Sequence, residues 1–375
     1  MKPMIDADPA PPGDLHGDLH GVVAVPLAMD ESAPTRRRLA DSQPVTPWEK
    51  VKDTVYYMRG RGALEIGTVY LAIIVAFSAY AIAAPDSFPF LSKENLSGVL
   101  SQSIPVLAIL GIGVGVLMIC GEFDLSVGAM IGFAGVVFIR VSNEHGWVLG
   151  AAAAIASTIG ISLVNGLIVV YTRIPSFIAT LGMSFFWTGA SIYVNGLTPA
   201  TFLPGVKTET ALNLLAGDHG YFRSQIVWMV AVGAVAWLVL HRHRVGNKFY
   251  AVGGNAAAAA AVSIKPRVVK LQAFAFMGFM VGIASVLIVA RTSGMQPGTT
   301  ADYTLLAVAA AVVGGCSLTG GRGTVLGMII GAALIQTIQN GLILGKAPGF
   351  YVQLFLGLAI VVAAVFNRFM EGKAS

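Results

Sequence analysis

Long apolar stretches alternate with short polar segments along most of this chain. A helix needs about 20 mostly apolar residues to cross the hydrocarbon core, and a charge near its centre is costly. Ten stretches contain no Asp, Glu, Lys or Arg and suit such helices: 66–85, 95–121, 125–139, 145–172, 174–206, 224–241, 271–290, 303–321, 323–345 and 347–367. The pattern predicts an all-α integral membrane protein with about ten transmembrane helices.

An eleventh uncharged stretch, 249–264, fits a span poorly. Its 16 residues would make about 24 Å of helix, against about 30 Å of hydrocarbon. With ten spans and the N-terminus inside, 18 of the 24 Lys and Arg residues lie in inside segments, as the positive-inside rule requires. An eleventh span would move basic residues outside. We therefore expect 249–264 in the cytoplasm between spans 6 and 7, and both termini in the cytoplasm.

The stretch 249–264 is predicted to contain a short helix that binds a partner protein. Ala256 to Ala261 is a run of the strongest helix former, and Asn255 before it is a good N-cap. We expect Pro266 to close the helix. Because a cytoplasmic apolar helix between basic clusters has no lipid to lie in, its alanines are expected to press against another protein. A helix lying on lipid headgroups is the alternative.

Composition narrows the class of protein. Hydrophobic residues make up 55% of the chain, charged residues 11%, and the mean hydropathy is +0.75, whereas a soluble domain carries about 25% charged residues. The net charge of +5 follows from basic inside loops and does not indicate nucleic-acid binding. Residues 1–60 are rich in Pro, Asp and Arg and are predicted to be a disordered cytoplasmic tail. Residues 61–370 are the predicted transmembrane domain.

Signatures of enzymes and metal sites are missing from the sequence. The string Gly341–Ala347 has the wrong spacing for a phosphate-binding loop and lacks the hydroxyl. Gly111, Gly113 and Gly115 lie in a predicted span, where helix packing is the favoured interpretation. Two cysteines exclude a disulfide-dense scaffold and a four-thiolate zinc site. We expect no catalytic residue and no metal site.

Two carboxylates, Glu122 and Asp124, interrupt an otherwise apolar stretch. Ionisable residues near membrane depth indicate a functional contact, to a solute or to a gate. Carboxylates also favour helix N-termini, so both residues could instead cap the helix that follows. The sequence leaves both roles open.

Neutral polar residues inside the predicted spans are few. They include Asn165, Thr180, Trp187, Asn195, Gln336 and Asn340. Neutral hydrogen-bonding groups suit a polar, uncharged solute, whereas a path for ions needs charged relays. Hydrogen bonds between helices are the alternative role for each of them.

Several short motifs occur in a familiar order. They are G-x-x-D-L-S-V-G at 121–128, N-G-L at 165–167, I-P-x-F-I-x-T-L-G at 174–182, G-G-N at 253–255, and the glycine-rich blocks at 314–318 and 320–323. In these motifs, from about residue 60 to 368, the chain resembles the membrane permease subunits of bacterial ABC importers for monosaccharides and polyols.

This resemblance implies a bacterial inner-membrane permease that works as a homodimer. A cytoplasmic ATPase would hold ATP and Mg and dock through the helix at about 253–266, this chain would carry no cofactor, and a periplasmic binding protein would deliver the sugar. The implied coupling residues are Gly253, Gly254, Asn255, Ala258, Ala259 and Ile264. The candidate substrate pathway comprises Glu122, Asp124, Ser126, Asn165, Phe177, Thr180, Asn195, Gln336 and Asn340.

The coupling helix departs from the family pattern. Ala256, Ala257 and Ala260 stand where the family usually has charged residues, and Ser263 replaces a glycine. These differences leave open which ATPase docks there. Alternative cargoes are a nucleoside or a sugar-like signal molecule. An ion-coupled secondary transporter is a rival, but it would need carboxylates deep within the spans.

Overall fold

The computed structural model describes residues 63–203 and 209–372. This part is almost entirely helical, with one two-stranded antiparallel pair. The predicted tail 1–60 lies outside the described residues.

The helices follow the apolar stretches of the sequence. They are α1 (Ala63–Ala83), α2 (Lys93–Ile119, with a π-helical turn at Leu96–Leu100), α3 (Val127–His145), α4 (Trp147–Thr172), α5 (Ser176–Asn195), α6 (Glu209–Ala216), α7 (Ser224–His241), α8 (Arg244–Gly254), α9 (Ala256–Ala261), α10 (Pro266–Thr292), α11 (Asp302–Val313), α12 (Val325–Leu344) and α13 (Gly349–Gly372). Eight of the described helices, α1 to α5, α7, α10 and α12, are long and apolar enough to cross a membrane. The all-α membrane fold is therefore confirmed.

The predicted span at 303–321 is not one continuous helix. Helix α11 has 12 residues, or about 18 Å at 1.5 Å per residue, which is shorter than the hydrocarbon core. It ends where Gly315 adopts a positive φ of 86°, a conformation that commonly terminates helices and that glycine adopts without strain. An irregular segment then leads to α12. The number of ten crossings stays a prediction.

The stretch 249–264 is divided between the end of α8 and the six-residue α9. Asn255 caps α9 as predicted, because its side-chain oxygen accepts the Ala258 N–H at 2.9 Å. The expectation for Pro266 is wrong: α9 already ends at Ala261, and Pro266 begins α10. A proline suits the first turn of a helix because the N–H that it lacks has no partner there.

Helix α2 lies at the centre of the bundle. Every residue from Pro105 to Cys120 is buried. Gly111 approaches Ala310 of α11, Gly113 approaches Met280 of α10, and Gly115 approaches Met328 of α12. A Cβ on Gly113 would lie 2.8 Å from the Cβ of Met280, so the small residues let three helices pack closely. The helix-packing interpretation of this glycine string is confirmed.

A short strand pair joins two loops at the end of the bundle that the charge pattern places outside. Strand β1 (Ala200–Thr201) follows α5, and β2 (Gly294–Met295) follows α10. They pair antiparallel, with Ala200 opposite Met295. Thus the end of α10 is tied to the segment that leaves α5.

Candidate functional site

The turn between α2 and α3 holds a closed network of buried polar side chains. Asp124 is fully buried, and its Oδ1 accepts hydrogen bonds from the backbone N–H and the hydroxyl of Ser126 at 2.7 and 2.6 Å. The amide nitrogen of Asn165 donates to Asp124 Oδ2 at 3.0 Å and to the Ser126 hydroxyl oxygen at 2.7 Å. The indole N–H of Trp187 donates to the Asn165 oxygen at 3.3 Å.

The backbone of the same turn is held by hydroxyl groups at the start of α5. Ser176 Oγ accepts the N–H of Phe123 at 3.0 Å, and Thr180 Oγ1 accepts the N–H of Leu125 at 2.9 Å. The Thr180 hydroxyl in turn donates to the Ser176 carbonyl at 2.8 Å. Consequently α3, α4 and α5 are joined through one turn of polar contacts.

Two features of its surroundings act in opposite directions on the ionisation of Asp124. Burial raises the pKa of this carboxyl, while the hydrogen bonds from Ser126 and Asn165 act to lower it. Both carboxyl oxygens already have donors from the protein. The network of Asp124, Ser126, Asn165 and Trp187 is called the inner network below. Its hydrogen bonds hold the turn before α3 against α4 and α5, which is a structural role.

Glu122, two residues earlier, has a different partner. Its Oε1 forms an ion pair with Lys270 Nζ, from the first turns of α10. The two side chains are 10% and 27% exposed, so solvent screens the pair only in part. The pair joins the inner network's turn to the segment that follows the predicted coupling helix.

Backbone segments meet very closely at the same end of α2. A Cβ on Gly253 would lie 1.7 Å from the Ile119 carbonyl oxygen, a distance that no side chain can occupy. The Gly321 N–H donates to that same oxygen at 2.9 Å. Gly320, at φ 93°, lies against Gly121 and Gly253. We call Gly121, Gly253, Gly320 and Gly321 the glycine junction; it joins the end of α8 to the turns after α2 and α11.

The remaining predicted coupling residues surround α9. Ala258 is exposed, Ala259 is buried, Ile264 is half-buried, and Gly254 is exposed at the end of α8. The exposed side of α9 is apolar and continues into Val262, which is 70% exposed. Ser263 has a positive φ of 64°, which explains why a glycine suits this position.

The other predicted pathway residues are dispersed. Phe177 is exposed on α5, and Asn195 at the end of that helix accepts a hydrogen bond from Arg140 Nε at 3.1 Å. Asn340 exchanges two side-chain hydrogen bonds with Asn95, at 3.1 and 2.7 Å. The structure therefore brings Asp124, Ser126, Asn165 and Thr180 together, and it separates the others.

A second polar region surrounds Gln336. An open cavity of about 280 Å³ lies between α2, α10, α11 and α12. Its lining residues are Ser103, Val106, Arg291, Thr299, Asp302, Tyr303, Leu306 and Gln336. Sequence reasoning missed all of them except Gln336, because Arg291 and Asp302 look like ordinary loop charges beside a span. Below it is called the outer cavity, since the charge pattern places the end of α10 outside.

The start of α3, two residues after Ser126 of the inner network, is hydrogen-bonded to two threonines beside the outer cavity. The Gly128 N–H donates to Thr304 Oγ1 at 2.8 Å, and the Thr300 hydroxyl donates to the Gly128 carbonyl at 2.6 Å. Thr300 and Thr304 flank the cavity residues Asp302 and Tyr303 in sequence. The start of α3 is therefore linked to the segment that carries Asp302 and Tyr303.

No metal-binding geometry occurs in the part of the chain that the structure covers. Within 63–203 and 209–372, no three His, Cys, Asp or Glu side chains come together as a metal ion would require. The hydrogen-bonding groups at the two sites suit binding of polar groups and positioning of helices.

Comparison with known proteins assigns the sequence to a family. Residues 95–364 match the model described as "Branched-chain amino acid transport system / permease component". No solved structure matches the chain.

Individual relatives align over most of their length. The ribose import permease protein RbsC of Escherichia coli (strain K12) is 32% identical over 305 residues, covering 80% of this chain and 92% of the relative. The L-arabinose ABC transporter permease protein AraH of Azospirillum brasilense is 31% identical, covering 81% and 88%. The autoinducer 2 import system permease protein LsrC of Yersinia enterocolitica is 28% identical, covering 80% and 82%.

The family match spans the helices from α2 to α13, including the inner network, the glycine junction and the outer cavity. Two of these relatives exceed 30% identity and align along more than four fifths of their own length. The chain therefore belongs to this family of membrane permease subunits, together with the ribose, arabinose and autoinducer 2 permeases.

Proposed function

We propose that this chain is the permease subunit of an ABC importer that carries a monosaccharide or polyol across the bacterial inner membrane. The observation that carries the proposal is its continuous similarity to the ribose and arabinose permeases, over at least 80% of this chain. The protein would act as a homodimer, with both termini in the cytoplasm. A periplasmic binding protein would deliver the solute.

The energy would come from ATP and Mg held by a separate ATPase, and this chain would bind no cofactor of its own. The exposed apolar side of α9, at Ala257, Ala258 and Ala260, and the exposed Val262 directly after it support docking of such a partner. An apolar surface of this kind gains free energy when a partner covers it.

The glycine junction supports transmission of movement from that partner. Gly253 rests directly on the Ile119 carbonyl, and the Tyr250 hydroxyl donates to the Gly323 carbonyl at 2.7 Å. A push on α9 would therefore act on the ends of α2 and α11 without an intervening flexible side chain. The Glu122–Lys270 ion pair would carry α10 along with the same turn.

Uptake by proteoliposomes tests the proposed function. The vesicles contain the permease, its ATPase and its binding protein, and labelled D-ribose and L-arabinose serve as probes. We expect uptake only with ATP and a competent ATPase. Uptake that persists with an ATPase that cannot hydrolyse ATP, or that needs an ion gradient, would contradict the proposal.

The docking surface has its own test. Ala258→Glu places a charge on the exposed apolar side of α9 and should abolish co-purification of the ATPase. Ala83→Glu is the matched control, because Ala83 is an exposed alanine at the end of α1. Retention of the ATPase by Ala258→Glu would show that docking occurs elsewhere.

A sugar-like signal molecule is a second candidate cargo. The similarity to the autoinducer 2 permease LsrC, at 28% identity over 303 residues, favours including it. Adding autoinducer 2 as a competitor in the same uptake assay separates the two cargoes.

A further inference from the structure

We propose that the outer cavity is the site where this permease receives a single neutral, polyhydroxylated solute; this inference rests on the proposed function and names its substrate-contacting residues. The contacts come from Arg291, Asp302, Tyr303 and Gln336. The inner network would not touch the solute.

The depth of the cavity supports a place on the translocation path. The Asn95–Asn340 pair shows that the beginning of α2 and the end of α12 lie side by side. From that level, Gln336 lies one turn further into α12, and Ser103 lies about two turns further into α2. The cavity therefore extends from the predicted outer end into the bundle.

Its polar groups are available for a ligand. The side chains of Asp302, Tyr303 and Gln336 line the cavity, and within the part of the chain that the structure describes they form no hydrogen bond or ion pair. Arg291 Nη1 donates a long hydrogen bond, 3.4 Å, to the Ser103 hydroxyl. By contrast, the donors and acceptors of the inner network are already paired with one another.

The chemistry of the lining fits a sugar. A carbohydrate hydroxyl both donates and accepts hydrogen bonds, and the side chains supply both functions: Arg291 donates, Asp302 accepts, and Gln336 and the Tyr303 hydroxyl can do either. One cation and one anion leave the site without net charge, which suits a neutral solute. The Tyr303 ring, Val106 and Leu306 offer apolar surface for carbon-bound hydrogens.

The size of the cavity limits the solute. Small-molecule sites usually measure about 300–1,000 Å³, and this one, at about 280 Å³, lies just below that range. One monosaccharide-sized solute fits that volume better than an oligosaccharide. A zwitterionic amino acid could also use Arg291 and Asp302, but it would leave the hydroxyl and amide groups of Ser103, Thr299 and Gln336 unused.

Cysteine protection on the permease itself tests the site. Leu306→Cys is labelled with a maleimide in lipid nanodiscs, in the presence of D-ribose, L-arabinose or L-leucine; the native Cys120 and Cys316 are buried. One of the sugars should slow labelling about threefold once two thirds of the sites are occupied. Thr201→Cys, exposed on β1, is the matched control and should label at an unchanged rate.

Measuring solute uptake by cavity variants tests the site independently of the proposed function. In the ATP-driven proteoliposome assay, Asp302→Asn and Arg291→Gln should each lower uptake about tenfold, because each loses a charge-assisted hydrogen bond to the solute. Asp86→Asn, at an exposed carboxylate in the loop after α1, should transport at the wild-type rate.

The outcomes are distinguishable. ATP-dependent uptake in the wild type with unchanged uptake in both cavity variants would overturn the cavity proposal and leave the proposed function standing. Protection by L-leucine without protection by either sugar would overturn the assignment to a polyhydroxylated solute. Absence of ATP-dependent uptake in the wild type would contradict the proposed function, and the protection assay would still report on the cavity.

Discussion

Two carboxylates near the starts of helices, Asp124 before α3 and Asp302 in α11, show how differently one chemical group is used in this protein. Asp124 is completely buried and receives three hydrogen bonds from Ser126 and Asn165. Asp302 is exposed at an open cavity and has no hydrogen-bond partner among the described residues. A buried charge must be paired to be tolerated, whereas a charge at the mouth of a cavity can remain hydrated until a ligand replaces the water.

The comparison shows that a buried carboxylate in an apolar bundle can have all its hydrogen bonds within the protein. The inner network is deep and charged, which would normally mark a transport site. Yet its groups satisfy one another, so a solute would have to break existing hydrogen bonds to bind there. The outer cavity is more accessible, and its groups lose less on binding a polar solute.

The largest expected difference between the two regions is in stability. Asp124→Ala removes the acceptor for the Ser126 N–H, the Ser126 hydroxyl and one of the two hydrogen bonds donated by Asn165. Because these groups are buried, it should lower the free energy of unfolding by about 3 kcal/mol. Unfolding of the purified permease by SDS titration in micelles measures this loss. Asp302→Ala is the comparison variant. If Asp124→Ala and the wild type unfold at the same SDS concentration, the inner network does not have the structural role that distinguishes it from the outer cavity.

The hydrogen bond between Gly128 and Thr304, which links the start of α3 to the segment beside the outer cavity, should have the second-largest effect on stability. Thr304→Val removes the acceptor for the buried Gly128 N–H and should destabilise the protein by about 2 kcal/mol. It should also weaken the coupling of ATP hydrolysis to uptake. The measured quantity is the ratio of solute transported to ATP hydrolysed. Thr198→Val, at an exposed loop threonine, controls for loss of a hydroxyl; an unchanged ratio in Thr304→Val would show that the contact carries no movement.

A smaller effect is expected for the Glu122–Lys270 ion pair. Glu122→Gln and Lys270→Gln should be coupled by about 1 kcal/mol in a double-mutant cycle, because partial exposure screens the interaction. Raising the ionic strength should reduce the coupling energy. A coupling energy of zero at low salt would show that this ion pair does not hold α10 to the turn of the inner network.

The smallest expected effect on stability is that of substitutions in the outer cavity. Asp302→Asn and Gln336→Ala should each change the free energy of unfolding by less than about 0.5 kcal/mol, because neither side chain pairs with another protein group there. The same SDS titration measures this. A destabilisation as large as that of Asp124→Ala would mean that these residues also have a structural role.

Much of the membrane architecture is predictable from the sequence. The uncharged stretches coincide with the central parts of the long helices, Asn255 caps α9, and the glycines at 111, 113 and 115 pack helices together. Each of these features depends on local composition or on short-range hydrogen bonding. The short α11 was not predicted, because its glycine-rich end is as free of charge as a membrane-crossing helix.

The candidate sites were only partly predictable. The motif around Asp124 and the polar Asn165 stand out in an apolar sequence, but the sequence does not show that they bind each other. Gln336 also stands out, whereas its neighbours Arg291 and Asp302 resemble the charges that flank any span.

By itself, the sequence determined that this chain is a helical membrane protein, because the free energy of placing apolar and charged residues in lipid depends on composition over about 20 residues. It also indicated the permease family, because several short motifs occur along the chain in the same order as in that family. The tertiary structure alone decided which polar groups satisfy each other and which remain open to a solute. Asp124 and Asn165 lie 41 residues apart, and Asn95 and Asn340 lie 245 residues apart. Their pairing therefore depends on how helices pack and not on any local pattern.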